Sequence, residues 1–164
     1  MNTTNPYRYR NNPEAGFTLM ELLIAIILVS ILAGLAAPAY SSFIASQRAK
    51  SIATDLFSSL LIARSEAVSK NSNVSLSPKS GDWLNGWQVK AADNSVLDDQ
   101  GSIAGATITL TPDGTTSIIY SASGRLKTSA PIFVITTTYG SSAVNQCVSV
   151  SLSGRPYIKA SSTC

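Results

Sequence analysis

The sequence predicts an α+β fold in which one long N-terminal helix packs on an antiparallel β-sheet domain. Three observations predict it: an apolar run over 22–37, an apolar repeat at three- and four-residue steps over 41–72, and short alternating runs separated by turn residues over 73–164. A length of 164 residues suits one such domain. A helix followed by a series of strands is typical of the α+β class.

The composition excludes several classes of enzyme. The chain contains no histidine and only two cysteines, which rules out histidine-based triads, histidine-ligated zinc and four-cysteine metal sites. Charged residues make up 13% of the chain, about half of the usual ~25%. The composition leaves an enzyme only carboxylate, lysine or serine chemistry. We expect that the protein is not an enzyme and that it binds neither a cofactor nor a metal ion.

The N-terminal element is a polar segment, 1–16, followed by an apolar segment, 17–40. Within the second segment, the residues 22–37 contain only one serine and one glycine outside the strongly apolar set. A helix over 17–40 is about 36 Å long, enough to cross a hydrocarbon core of about 30 Å. Because Arg8 and Arg10 precede it, we expect the N-terminus in the cytoplasm and the remainder of the chain across the membrane.

Three interpretations of the apolar segment are open on these features alone. A secretory signal peptide ending at Ala36 and Ala37 is disfavoured by Pro38, which directly follows the small residues. A plain membrane anchor explains the length but not Glu21, because a carboxylate in a membrane segment costs up to about 3 kcal/mol and by default marks a function. The third interpretation is a processed anchor in which Glu21 has a positive partner.

The string GFTLMELL, which begins at Gly16, resembles the class III signal of type IV prepilins. The resemblance implies that prepilin peptidase removes the leader 1–16 by cutting between Gly16 and Phe17, and that the new Phe17 amine is methylated. It also implies a role for Glu21 in assembly and register, since this carboxylate can attract the Phe17 amine of its own chain or of a neighbour. Pro38 matches the proline at which helices of this family bend or break.

The apolar repeat over 41–72 extends the helix beyond Pro38, with a predicted end near Asn71–Asn73. Its large apolar side chains are expected to pack against the β domain. Arg64 and Lys70 are expected on the solvated face. The large apolar residues of the repeat are Tyr40, Phe43, Ile44, Ile52, Leu56, Phe57, Leu60, Leu61 and Val68.

The segment 73–164 is predicted to form six to eight short strands, separated by turn signals such as Pro112–Gly114. Two strings, SASGRLK at 121–127 and SLSGRPY at 151–157, share the pattern of a strand end, a turn and an arginine. Serine and glycine suit tight turns in general, so the echo is too short to indicate a duplicated unit. The clearest alternating runs are 74–76, 87–89, 108–110, 118–120, 133–135 and 148–152.

The order of motifs in this part of the chain resembles the GspH/FimT group of minor pilins and minor pseudopilins, which includes FimU-like subunits. The motifs are ARSEA at 63–67, WLNGW at 83–87, and SGR at 123–125 and again at 153–155. With the N-terminal signal, the resemblance covers nearly all of 16–159. It implies a type IV pilin-like fold and a low-abundance subunit placed at or near the tip of a filament.

The resemblance also implies partners, a location and a function. The partners are other minor and major pilins or pseudopilins, the prepilin peptidase and methyltransferase, and the assembly platform of the bacterial inner membrane. The chain would cross that membrane once and then enter a pilus or pseudopilus, with the β domain in the periplasm. The expected function is to prime or join type IV pilus assembly, which supports twitching motility, adhesion or DNA uptake. An H-type minor pseudopilin of a type II secretion system is an alternative.

Cys147 and Cys164 lie in the part of the chain expected in the periplasm, an oxidising compartment. A disulfide between them would close a loop over 148–163 and stabilise the fold by about 3 kcal/mol in the chain-entropy model. Two free thiols are the alternative.

After residue 113 the chain carries four basic residues and no acidic one, the four being Arg125, Lys127, Arg155 and Lys159. In FimT-like members of the group, a C-terminal motif resembling Gly-Arg-x-Arg contributes to binding DNA. Gly154 and Arg155 match it, but Tyr157 stands in place of the second arginine. The four cations are therefore candidate DNA-binding residues, because affinity for DNA needs several cations on one face. The alternative is a basic rim that only aids solubility.

Overall fold

The computed structural model describes residues 16–112, 114 and 116–164 and confirms the predicted α+β class. The leader residues 1–15 and Asp113 of the predicted turn lie outside the described residues. One helix, α1 (Leu19–Ser69), precedes eight strands. The strands are β1 (Val74–Lys79), β2 (Asp82–Lys90), β3 (Val96–Asp99), β4 (Ala106–Thr111), β5 (Ile118–Tyr120), β6 (Ile132–Tyr139), β7 (Ser142–Val150) and β8 (Pro156–Lys159).

The chain divides into two compact units, Met1–Ala37 and Pro38–Cys164. The boundary falls at Pro38, yet α1 is assigned through this residue without interruption. A proline removes one backbone N–H and its hydrogen bond. The bend or break at Pro38 therefore stays a prediction.

The C-terminus of α1 closes near the predicted residues. Asn71 has a φ of 48°, and its N–H donates to the Val68 carbonyl at 3.3 Å. The Ser72 N–H donates to the Ala67 carbonyl at 3.1 Å. These two hydrogen bonds satisfy the last free carbonyls of the helix. They form when the residue after the helix is left-handed, as Asn71 is here, and asparagine tolerates that conformation. The chain then turns directly into β1.

The β domain contains two four-stranded antiparallel sheets where the sequence predicted one. Sheet A has the order β3-β2-β1-β5 and sheet B the order β4-β6-β7-β8. The ring of Trp83 in sheet A packs edge-on against Phe133 in sheet B, with ring centroids 4.8 Å apart. Each predicted run lies in a strand, except that the last one ends at Val150. β3 and β8 were missed because their sequences, VLDD and PYIK, do not alternate apolar and polar residues.

The buried face of α1 packs against both sheets through small side chains. Because alanines let the helix backbone approach closely, the Thr137 hydroxyl of β6 donates to the Ala45 carbonyl at 2.6 Å. The shared core includes Leu76 and Trp87 from sheet A and Phe133 from sheet B. The fully buried residues of this helix face are Ala45, Ala49, Ala53, Leu56, Leu60, Ala63 and Ala67.

The predicted apolar stripe of the helix divides into two faces. Ile52, Leu56 and Leu60 belong to the core. Four other members of the stripe are exposed, so the expectation that all of them pack against the β domain is wrong. The predicted stripe consists of large side chains, whereas alanines complete the buried face. The exposed members are Tyr40 (61%), Phe43 (58%), Leu61 (42%) and Val68 (52%).

The WLNGW motif connects β2 to α1 through hydrogen bonds, and its glycine packs against the chain that follows β3. The indole N–H of Trp87 donates to Ser59 Oγ at 2.9 Å, and that hydroxyl donates to the Asp98 carboxylate at 2.5 Å. Gly86 has a φ of 87°, and a Cβ there would overlap the Gln100 carbonyl oxygen. Glycine is therefore required in the motif for both conformation and space.

Two adjacent leucines test the division of the helix into a buried and an exposed face. We expect Leu60→Ala to lower the free energy of unfolding by about 2–5 kcal/mol, because it leaves a cavity in the core. Leu61→Ala should lower it by less than about 1 kcal/mol, since a partly exposed side chain loses little burial. Denaturant titration followed by tryptophan fluorescence measures both values, and equal losses would contradict the division.

Candidate functional site

The residues of the predicted cleavage site lie at the start of α1 and are exposed. Gly16 and Phe17 precede the helix, and Phe17 is 74% exposed. The Glu21 N–H donates to Thr18 Oγ1 at 3.2 Å, so Thr18 caps the helix. Glu21 is the acidic residue of the first turn, where the helix dipole favours a negative charge. Sequence reasoning missed this cap, although Thr-x-x-Glu before an apolar run signals it.

The first half of α1 exposes an apolar surface all around the helix. The segment Leu19–Ala36 has a mean hydropathy of 2.6, and none of it is buried within the chain. By length and composition this segment is suited to cross a membrane. Water disfavours a continuous apolar surface of this size, which is typical of a segment covered by lipid or by another apolar helix.

The two Ser-x-Ser-Gly-Arg strings form the same turn. We call the segments Ser121–Arg125 and Ser151–Arg155 the twin turns. In each turn, the N–H of the first serine donates to the arginine carbonyl at 2.9 Å, and the glycine N–H donates to the carbonyl of that serine at 2.8 Å. The glycines have φ values of 71° at Gly124 and 82° at Gly154. The two similar strings in the sequence therefore adopt the same turn geometry.

The twin turns are in direct backbone contact. A Cβ on Gly154 would overlap the Gly124 carbonyl oxygen and would lie 3.3 Å from the Arg125 Cα. The contact brings the chain segments that carry Arg125 and Arg155 side by side. The sequence left open whether the two turns are neighbours, and the structure shows that they are in contact. Both arginine side chains are exposed.

Arg64 of α1 bridges the twin turns. Its Nε donates to the Gly124 carbonyl at 3.1 Å, and an Nη donates to the Ser153 carbonyl at 3.4 Å. Arg64 is half-buried, so its assignment to the solvated face is wrong. The same residue lies near the Tyr120 phenol. Burial raises the pKa of the Tyr120 phenol, and the positive charge of Arg64 acts in the opposite direction.

The other two predicted cations lie outside the contact between the turns. Lys127 follows the first turn, with its backbone N–H bonded to the Ile119 carbonyl at 2.8 Å. Lys159 is the last residue of β8 and pairs in register with Cys147 of β7. Both lysine side chains are exposed. The structure thus brings the two arginine turns together, whereas each lysine lies on a separate stretch of chain.

A disulfide joins Cys147 of β7 to Cys164, with Cα atoms 5.7 Å apart. Its two sulfurs leave the described chain without a free thiol. The bond ties the last residue to the middle of sheet B, so the chain after β8 is anchored at both ends.

A groove runs beside the second twin turn, between α1 and the start of β8. It has a volume of about 620 Å³. Sequence reasoning did not find it, because its walls come from two segments far apart in sequence. The main residues that line the groove are Phe57, Leu61, Arg64, Arg155, Pro156 and Tyr157.

In the described part of the chain, no group of three acidic or cysteine residues is placed to hold a metal ion.

Two left-handed glycines test the contact between the twin turns. Gly81 has a φ of 78° with open space around its Cα, whereas Gly154 faces the Gly124 carbonyl. We expect Gly81→Ala to cost about 1–2 kcal/mol for the backbone conformation. Gly154→Ala should cost at least about 1 kcal/mol more, because the two turns must separate. Thermal unfolding of the two variants measures this difference, and equal costs would contradict the contact.

Comparisons with known proteins agree with this architecture. The family profile described as type II transport protein GspH matches residues 53–154. A second profile, the prokaryotic N-terminal methylation motif, matches residues 11–37. A search of curated proteins found no significant match.

Two crystal structures of the type IV minor pilin FimU from Pseudomonas aeruginosa strain PAO1 share the fold. One is 26% identical with a TM-score of 0.57, and the alignment covers 70% of this chain and 98% of the solved chain. The other is 25% identical with a TM-score of 0.60, and the alignment covers 74% and 98%. A profile match over more than half of the chain, joined to the methylation motif and to this fold, shows that the chain belongs to the GspH family, in the group of type IV minor pilins and minor pseudopilins.

Proposed function

We propose that the protein is a minor pilin that primes or joins the assembly of a type IV pilus at the filament tip. The observation that carries the proposal is an uncovered apolar helix that begins beside the Gly16–Phe17 cleavage motif and leads into a FimU-like β domain. Through the pilus, the protein would support twitching motility, adhesion or DNA uptake. These processes need binding surfaces and no catalytic group.

The proposed mechanism depends on Glu21. Cleavage after Gly16 creates a positive amine at Phe17, which is then methylated. In the low dielectric of a membrane or of packed helices, the Glu21 carboxylate needs that positive charge, and the attraction is much stronger than it would be in water. When the amine belongs to the next subunit, the pair sets how far one helix is shifted along the other.

The proposed location follows from the same segment. Before assembly, the apolar half of α1 would anchor the protein in the bacterial inner membrane, with the N-terminus in the cytoplasm and the β domain in the periplasm. The partners would be other minor and major pilins, the prepilin peptidase and methyltransferase, and the inner-membrane assembly platform. The Cys147–Cys164 disulfide suits the oxidising periplasm.

DNA binding is a second candidate function, and the contact between the twin turns favours it. The contact brings the turns that carry Arg125 and Arg155 side by side. Binding to DNA by counterion release would need these two arginines, with Lys127 and Lys159, on one face. A mobility-shift assay with duplex DNA at two salt concentrations tests this function. Salt-sensitive binding that Arg155→Ala together with Lys159→Ala abolishes would support it, and no binding by the wild-type protein would end it.

A minor pseudopilin of a type II secretion system is a third candidate, favoured by the description of the matching family as type II transport protein GspH. The same anchor and the same helix assembly serve both machines. Deletion of the gene separates them. Loss of surface pili with normal protein secretion supports the pilus, whereas loss of secretion with normal pili supports the secretion system.

Two glutamates of the same helix test the assembly mechanism. We expect Glu21→Gln to leave the protein in the membrane but to reduce its recovery in sheared pili at least about tenfold, because the amine of the neighbouring subunit loses its partner. Glu66→Gln is the matched control: Glu66 forms an exposed ion pair with Lys70, 3.2 Å apart, which contributes little. Immunoblots of pilus and membrane fractions measure both variants. Normal incorporation of Glu21→Gln would refute the mechanism.

A further inference from the structure

The groove beside the second twin turn combines positive charge with apolar walls. Arg64 enters it from α1, and Arg155 enters it from the turn. Phe57 and Leu61 line the helix side, and Tyr157 lines the strand side. Its volume of about 620 Å³ falls within the range of pockets that hold several side chains or a small ligand.

The two arginines of the groove form no ion pair within the described residues. The sequence carries no acidic residue after Asp113. The bonds from Arg64 to the two turn carbonyls hold its guanidinium at the edge of the groove. Because a guanidinium pairs with a carboxylate through two parallel hydrogen bonds, the two arginines favour a carboxylate as ligand.

The walls of the groove favour a protein partner. Leu61 is 42% exposed and Tyr157 is 40% exposed, so the described chain leaves apolar area that a partner side chain can cover. Tyrosine and arginine are the side chains that most often dominate binding energy at protein interfaces. A duplex would instead use every cation on the surface, but Arg125 and Lys127 do not line the groove.

From these features we propose that the groove binds an acidic segment of another protein. A carboxylate of that segment pairs with Arg155 and Arg64, and an adjacent aromatic or aliphatic side chain packs on Tyr157 and Phe57. Both twin turns carry an exposed arginine, and of these two only Arg155 lines this groove. Arg64 has two roles, since it pairs with the ligand and also holds both turns through the Gly124 and Ser153 carbonyls.

The test uses the full chain in micelles of a zwitterionic detergent and three fluorescein-labelled probes. The first is an acidic aromatic peptide, Gly-Asp-Phe-Asp-Gly. The second replaces both aspartates with asparagine, and the third is a single-stranded thymidine oligonucleotide. Fluorescence anisotropy gives the dissociation constant of each. Arg155→Gln and Arg125→Gln are a matched pair of variants, because they remove the same charge from the same turn geometry and both side chains are exposed.

We expect the acidic peptide to bind the wild-type protein at least about tenfold more tightly than the amide peptide, and Arg155→Gln to weaken this binding about tenfold. Arg125→Gln should change it less than about twofold. Absence of binding by the acidic peptide at millimolar concentration, or equal effects of the two variants, would overturn the proposal. Tighter binding of the oligonucleotide, weakened equally by both variants, would assign the surface to nucleic acid instead. Because the probes are two free peptides and an oligonucleotide, and none of them is a pilin, failure here leaves the proposed assembly role untouched. That role is tested by Glu21.

Discussion

The structure of the β domain depends on the close packing of one alanine- and leucine-rich face of α1 against both sheets. Alanines at 45, 49, 53, 63 and 67 let the sheets reach the helix backbone, which is why a threonine hydroxyl of sheet B bonds directly to a helix carbonyl. This packing also fixes the rotation of the helix. Ser59 consequently faces Trp87, and Arg64 reaches the twin turns. The position of Arg64 at the groove thus follows from the packing of the buried helix face.

The two parts of the helix differ in what covers them. Between 45 and 69, one face is buried by the β domain and the other is exposed, as in an ordinary amphipathic helix. Between 19 and 36, every described face is apolar and none is covered. A segment of the second kind is stable only in lipid or against similar helices. An acidic residue at its first turn, Glu21, is tolerated there when a positive group is supplied nearby, and the amine of a processed chain is such a group.

Much of this architecture was predictable because local patterns encode it. The N-terminal motif, the helix end at Asn71 and the six strand runs all depend on residues close together in sequence. Features that depend on distant residues were not predicted: the split into two sheets and the contact between the twin turns. Arg64 illustrates the limit, because its spacing suits a solvated face and only the folded chain shows the two carbonyls that it binds. Alanines were missed for a related reason, since a small side chain gives a weak apolar signal although it determines how closely helix and sheet approach.

Retention of the apolar helix is the central claim, and the intact mass of the protein isolated from membranes tests it most directly. If the helix is kept as an anchor and later as an assembly surface, only the leader is removed. We predict a mass equal to residues 17–164 with the disulfide formed and with one methyl group on the Phe17 amine. A mature chain that begins at Pro38 or later would contradict this, because such a product has lost the apolar segment and Glu21 with it.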